Sequence, residues 1–226
     1  MDHLQPSWQQ AESGVEARIR FVRSVYAWLM GGFAVAAVGA VVSPFTLAPL
    51  VALTGRFWHW ALFIAQIGAI FFASAVSRKK PLNILAYGLF TFISGTIAGI
   101  FSFAVAQAIG PQTVYLALGL TAVIFLTLTI TAFVTKKDFS FLRNFVIVGI
   151  AVMFFGGLIA AIFNLPTFSL IISGVAVIAC SAKLLWDTSA MLRTGDFSDP
   201  AAFALSLFVS LYNIFISLLN ILGRRR

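Results

Sequence analysis

Residues 82–106 read LNILAYGLFTFISGTIAGIFSFAVA, without a single Asp, Glu, Lys or Arg. The hydrocarbon core of a bilayer, about 30 Å thick, is crossed by roughly 20 predominantly apolar residues in helical form. This stretch is long enough to cross, and Arg78-Lys79-Lys80-Pro81 before it and Gly110-Pro111 after it supply the breaks. Working outward, six further runs of the same kind follow: 25–42, 57–77, 113–134, 145–163, 167–186 and 201–222. Pro44 and Pro49, Lys136-Lys137-Asp138, Asn164-Leu165-Pro166 and the polar stretch from Arg193 to Pro200 separate them. The expected fold class is an all-α integral membrane protein, a bundle of seven transmembrane helices. Strand-like alternation is absent, which gives a transmembrane β-barrel no support.

Composition agrees. Of 226 residues, 61% are apolar, 24 are Phe and only 10% are charged, whereas a soluble surface needs about a quarter. That excludes a soluble globule, a disordered chain and a nucleic-acid binder, even at a net charge of +8. The single Cys180 excludes a disulfide framework. The polar first 24 residues do not resemble a cleaved signal peptide, whose apolar core starts sooner. The expected organisation is a polar N-terminal arm (1–24), the bundle (25–223) and a basic tail (224–226).

Lys and Arg set the orientation. Arg18, Arg20, Arg23, Arg78, Lys79, Lys80, Lys136, Lys137, Arg143, Lys183 and Arg193 fall on one side; Arg56, Arg224, Arg225 and Arg226 fall on the other. Eleven against four predicts a cytoplasmic N-terminus, with the terminal arginines as a dissenting signal.

Polar groups in a lipid-embedded helix turn towards other helices or a cavity. Ser206, Ser210, Asn213, Ser217 and Asn220 are spaced 4, 3, 4, 3 and share one helical stripe. The sixth segment has a parallel stripe of Ser169, Ser173, Ala176, Cys180, Lys183 and Asp187. The third carries Tyr87, Thr91, Ser94 and Ala98, with Gly95 and Gly99 at the spacing for close helix approach. Such stripes serve either as helix-to-helix contacts or as the lining of a polar interior. Among the acidic residues only Asp187 adjoins a long apolar run. An ionised carboxylate there must be paired, hydrated or protonated. Lys183, one turn earlier, and Arg78, at a neighbouring helix end, are both candidate partners.

No pair of His or Cys has metal-ligand spacing. Neither a Gly-rich phosphate loop nor an HExxH or GxSxG motif occurs. An enzyme is not expected, and no cofactor is implied. Retinal chemistry is not expected either, since the seventh segment has no Lys.

The loop Lys136-Lys137-Asp138-Phe139-Ser140-Phe141-Leu142, the pair Asp187-Thr188, the stretch Phe92-Ile93-Ser94-Gly95 and the last-helix run from Ala204-Leu205-Ser206 through Asn213-Ile214-Phe215 to Leu218-Leu219 together resemble the Bax inhibitor-1 family, in its bacterial form. The resemblance covers about residues 21–223. It implies six helices packed around the seventh and, in characterised members, a calcium leak governed by pH. In that mechanism two Asp, on the sixth and seventh helices, share a proton, and an Arg at the end of the second helix pairs with them. Carried over by position, the first Asp is Asp187, the only weak metal candidate, and the Arg is Arg78. The second Asp is replaced by Ser210, three residues before Asn213. A hydroxyl cannot carry charge, and calcium prefers six to eight oxygen ligands, so this departure weakens cation binding and coupled titration.

The leading expectation is a channel-like ion-leak protein, calcium-permeable and pH-sensitive, with Asp187, Ser210, Asn213 and Arg78 as pore and pH-sensing residues. Its partners would be the lipid bilayer and transient calcium ions, in a bacterial inner membrane. The alternative is a non-transporting regulator that binds a membrane-bound ATP-dependent protease, with the N-terminal arm as the contact.

Overall fold

The computed structural model describes residues 7–194 and 196–224. Seven helices follow one another: α1 (Ser7–Thr54), α2 (Trp58–Ala75), α3 (Leu82–Ile109), α4 (Gln112–Thr135), α5 (Arg143–Ile162), α6 (Pro166–Arg193) and α7 (Pro200–Gly223). Two 3-10 turns, Gly55–Phe57 and Ser140–Leu142, precede α2 and α5. No strand occurs among the described residues, and all seven helices are long and apolar enough to cross a membrane. Each expected segment corresponds to one helix.

Two boundaries differ from expectation. The first segment was expected to stop at 42, ahead of Pro44 and Pro49, but α1 runs through both. Proline lacks the N–H that would reach the carbonyl four residues back. Here the Ser43 hydroxyl donates to that Ala40 carbonyl at 2.7 Å, a substitute that keeps proline tolerable inside a membrane helix. At 1.5 Å per residue, α1 is about 72 Å long, far more than one crossing requires. Residues 7–24 of the expected arm are thus helical and continuous with the first span; residues 1–6 lie outside the described residues, as do 225 and 226 of the basic tail. The sixth segment was expected to end at 186, yet α6 continues to Arg193. The Thr188 hydroxyl returns to the Leu184 carbonyl at 2.8 Å, and Asp187 is paired within the helix, so the polar residues do not break it.

α7 is the most buried helix. It packs against α1, α2, α3, α4 and α6, while α5 stands outside against α6 and the turn before it. The six-around-one arrangement is therefore open on one side, where cavities separate α5 from α7. α1 and α3 make the most extensive pair. Gly95 and Gly99 provide the close approach that their spacing implied. A Cβ on Gly95 would overlap the Ala36 backbone, and one on Gly99 would sit 2.6 Å from the Ala40 carbonyl oxygen.

The two ends of the bundle differ. Around Phe21, Val25 and Leu29 of α1, Phe90 of α3, Leu184 and Met191 of α6 and Phe208 of α7, the core is continuous. Phe208 touches the rings of Phe33, Tyr87, Phe90 and Tyr212. This half carries the loops at 76–81, 136–142 and 194–199. The two cavities beside α5 lie in the opposite half.

Candidate functional site

α7 begins with a capped first turn. Asp199 accepts from the Ala202 N–H at 3.0 Å, and Pro200 fills the first helical position. About two turns later Ser206 faces α6. Its hydroxyl donates to Asp187 Oδ2 at 2.8 Å, and the Lys183 ammonium donates to both the Asp187 carboxylate and the Ser206 oxygen. Lys183 and Asp187 are 16% and 13% exposed, so the pair is nearly withdrawn from solvent. The stripes of α6 and α7 join again at their other ends, where Asn220 Nδ2 donates to Ser173 Oγ at 2.7 Å and to Ser169 Oγ at 3.2 Å.

Of the two candidate cations for Asp187, the structure therefore selects Lys183. Arg78 does not join the site. It turns to the α6–α7 loop, at 3.3 Å from Asp196 and 3.4 Å from Asp199, and Ser77 also donates to Asp199 at 2.8 Å. Hydrogen bonds from Ser198, reinforced by the charge of Arg78, hold the Asp196 carboxyl below its usual range. Ser210, fully buried, donates to the Ser206 carbonyl at 3.1 Å rather than to Asp187. Asn213 donates to the Val209 carbonyl at 2.8 Å. The four residues expected to form one site thus occupy three places: Asp187 in the Lys183–Ser206 cluster, Arg78 in the loop clamp, and Ser210 and Asn213 on α7.

Ser206 is the residue that sequence reading left out of the site. It lay on the recognised stripe, four positions before Ser210, but nothing local says which member of a stripe faces Asp187. That depends on the register of α6 against α7. The structure also gives Asp199 two roles the sequence reading did not assign, as the cap of α7 and as a partner of Arg78.

Among the described residues no group of three or more His, Cys, Asp or Glu gathers for a metal ion. Asp187 is a single carboxylate already neutralised by an ammonium, which is a poor fit to a cation that takes six to eight oxygens. Chemically the cluster is a clasp: a charged hydrogen-bond bridge that ties α6 to α7 in a low-dielectric setting.

Beyond it, Asn213 borders two adjoining cavities. One, about 620 Å³, is lined by Asn164, Ser169, Ser173, Asn213, Ser217 and Asn220 together with apolar residues of α5. The other, about 570 Å³, lies between α2, α3 and α5 beneath Trp58, Trp60 and Phe63. Seven residues, about 10 Å along α7, separate Asn213 from Ser206. Buried Phe208 and Leu211 fill the neighbouring faces of that interval.

The α4–α5 loop docks on the same end of α6. Ser189 donates to the Lys137 carbonyl at 2.9 Å, and Arg193 meets Asp138 at 2.6 Å. Asp138 accepts from Arg193 and from the Ser140 N–H, which lowers its pKa below the ordinary carboxylate value.

Comparison with known proteins agrees with this architecture. Residues 18–226 match the family described as inhibitor of apoptosis-promoting Bax1. An uncharacterized protein of Campylobacter jejuni is 32% identical over 203 residues, covering 89% of this chain and 87% of that one. An uncharacterized membrane protein of Vibrio cholerae is 32% identical, over 78% and 76% of the two chains. The modulator of FtsH protease YccA of Escherichia coli is 31% identical over 205 residues, 90% of each chain. With a family match across nearly its whole length and the seven-helix architecture to go with it, the chain belongs to the Bax inhibitor-1 family.

Proposed function

We propose that this protein is a non-enzymatic regulator in a bacterial inner membrane, acting by contact on a membrane-bound ATP-dependent protease. The observation that carries the reading is the Lys183–Asp187–Ser206 clasp. The intramembrane carboxylate that a cation would need is neutralised from within and joined to α7. A bundle locked in this way suits a rigid binding surface better than a conduit. The name of the Escherichia coli relative, modulator of FtsH protease, supports the choice of partner. The Lys/Arg distribution supports a cytoplasmic position for the N-terminus and the loops at 76–81, 136–142 and 194–199, on the side where ATP is available. Residues of α1 that extend beyond the membrane on that side are the natural contact.

The test is co-purification and site-specific crosslinking of the full chain with the protease in membranes, together with the decay rate of a membrane substrate. Crosslinks from positions 14–20 and an altered decay rate are expected. Absence of both, with the bundle intact, overturns the reading.

A second reading, a calcium-permeable leak, is favoured by one observation: the polar cavity bordered by Asn213, Ser217 and Asn220. On this reading the clasp is the closed gate, and Asp187, Ser210 and Asn213 line the path. Calcium flux into dye-loaded proteoliposomes discriminates. The regulator reading expects no flux from the wild type at any pH between 5 and 8. A leak that Asp187→Asn changes would instead establish the second reading.

A further inference from the structure

Arg18 of α1, Lys136 and Lys137 after α4 and Arg193 of α6 converge on a pocket of about 320 Å³ whose remaining wall includes Phe133 and Leu192. Four cations from three separate elements thus meet at one end of the bundle. Among the described residues only Arg193 has a counter-charge, Asp138. Among the described residues Arg18, Lys136 and Lys137 make no ion pair, which leaves about three uncompensated positive charges around one hollow. The like charges repel across this small space, a cost that a bound anion would offset.

The position of the pocket defines that anion. It opens on the seam between α1 and α4, which are not in backbone contact there, and beside it Phe133 and Ile130 face outward. One level deeper, Tyr26 of α1 meets Phe125 of α4 with ring centroids 6.4 Å apart, and this closes the seam. The pocket therefore has room for a headgroup and its first carbons, while chains attached to it would run along the exposed apolar face of α4. A free anion would use the cations but not the apolar wall; an anionic lipid uses both. Basic pockets between transmembrane helices at the membrane surface bind anionic headgroups by this chemistry.

We propose that the α1–α4–α6 pocket is a binding site for the phosphate headgroup of an anionic phospholipid. Arg18, Lys136 and Lys137 neutralise the phosphate, Arg193 is shared between it and Asp138, and Phe133 and Leu192 contact the glycerol and upper acyl carbons. A lipid seated there would join α1, α4 and α6 by a second bridge besides the loop clamp at Asp138.

The experiment titrates the full chain, purified in a non-ionic detergent, with phosphatidylglycerol and with phosphatidylcholine, counting retained lipids by native mass spectrometry. Near a membrane surface each Lys or Arg contributes about fivefold in affinity. Lys136→Gln/Lys137→Gln should thus weaken phosphatidylglycerol binding about thirtyfold, and Arg18→Gln, on a different helix, about fivefold. Lys79→Gln/Lys80→Gln, on another loop at the same end, should retain wild-type binding. Equal losses from the 79/80 and 136/137 variants would mean diffuse attraction and overturn the site, as would equal affinity for phosphatidylcholine. Displacement of the lipid by millimolar inorganic phosphate, with phosphate itself bound as tightly, would overturn the lipid in favour of a free anion. Thermal unfolding of each variant separates lost binding from lost folding. Arg18→Gln keeps the proposal testable if the 136/137 pair disturbs the loop, since unchanged binding by that variant refutes it.

Discussion

Removing Lys183 is the sharpest perturbation of the clasp. In Lys183→Met the stem keeps most of its volume, but Asp187, 13% exposed, loses its counter-charge. Breaking a buried ion pair from one side costs about 3–5 kcal/mol. Two features of the site lower that figure. The Ser206 hydroxyl still donates to Asp187 at 2.8 Å, a bond of about 1 kcal/mol, and the small residual exposure admits some water. The expected cost is about 2–4 kcal/mol. Lys183→Met combined with Asp187→Leu removes both charges and leaves a serine that is free to bond its own helix, so it should cost about 1 kcal/mol or less. The double-mutant cycle, completed by Asp187→Leu alone, then yields a coupling of at least about 1–3 kcal/mol. Equilibrium unfolding of the four proteins in mixed micelles, followed by circular dichroism, measures it. A cost below about 1 kcal/mol for Lys183→Met, with no coupling, would refute the reasoning, because it would mean that the carboxylate is solvated or neutral without its lysine.

Three further outcomes are expected. Gly95→Ala forces a methyl into the Ala36 backbone and should destabilise by about 1–3 kcal/mol, whereas Gly88→Ala meets open space and should be neutral or stabilising by up to about 1 kcal/mol; equal effects in the same unfolding assay would contradict the close α1–α3 crossing. The Asp138 carboxyl, held low by Arg193 and Ser140, keeps its charge below the ordinary value of about 3.9. The loop clamp should therefore survive acidification from pH 7 to pH 5 and weaken only as pH falls through the depressed value; hydrogen exchange at residues 138–142 that rises already at pH 5 would count against it. Asn220→Leu removes the bonds to Ser169 and Ser173 at a cost of about 0.6–1.7 kcal/mol, the range for hydrogen bonds between membrane helices. It should also raise the accessibility of a cysteine placed at 173 to a water-soluble thiol reagent, and unchanged labelling would argue against the α6–α7 join.

Much of the architecture was determined by the sequence alone. The seven apolar runs had to be helices because the bilayer core offers the backbone no other hydrogen-bond partner, and a helix satisfies its own groups within one segment. The glycine spacing in α3 and the polar stripes of α6 and α7 were legible for a similarly local reason, since a residue's face on a helix follows from its number. What a helix meets across an interface does not follow from its number. Ser206 rather than Ser210 at Asp187, Lys183 rather than Arg78 as its counter-ion, and Arg78 drawn to Asp196 and Asp199 all depend on the register and axial shift between helices. Packing over the whole bundle sets those quantities. The open flank between α5 and α7 and the meeting of Arg18 with Lys136, Lys137 and Arg193 arise likewise from segments far apart in the chain. Periodicity fixed which face each helix presents inward; only the tertiary structure decided which groups on those faces touch, because a shift of a single turn, about 5.4 Å, exchanges every partner.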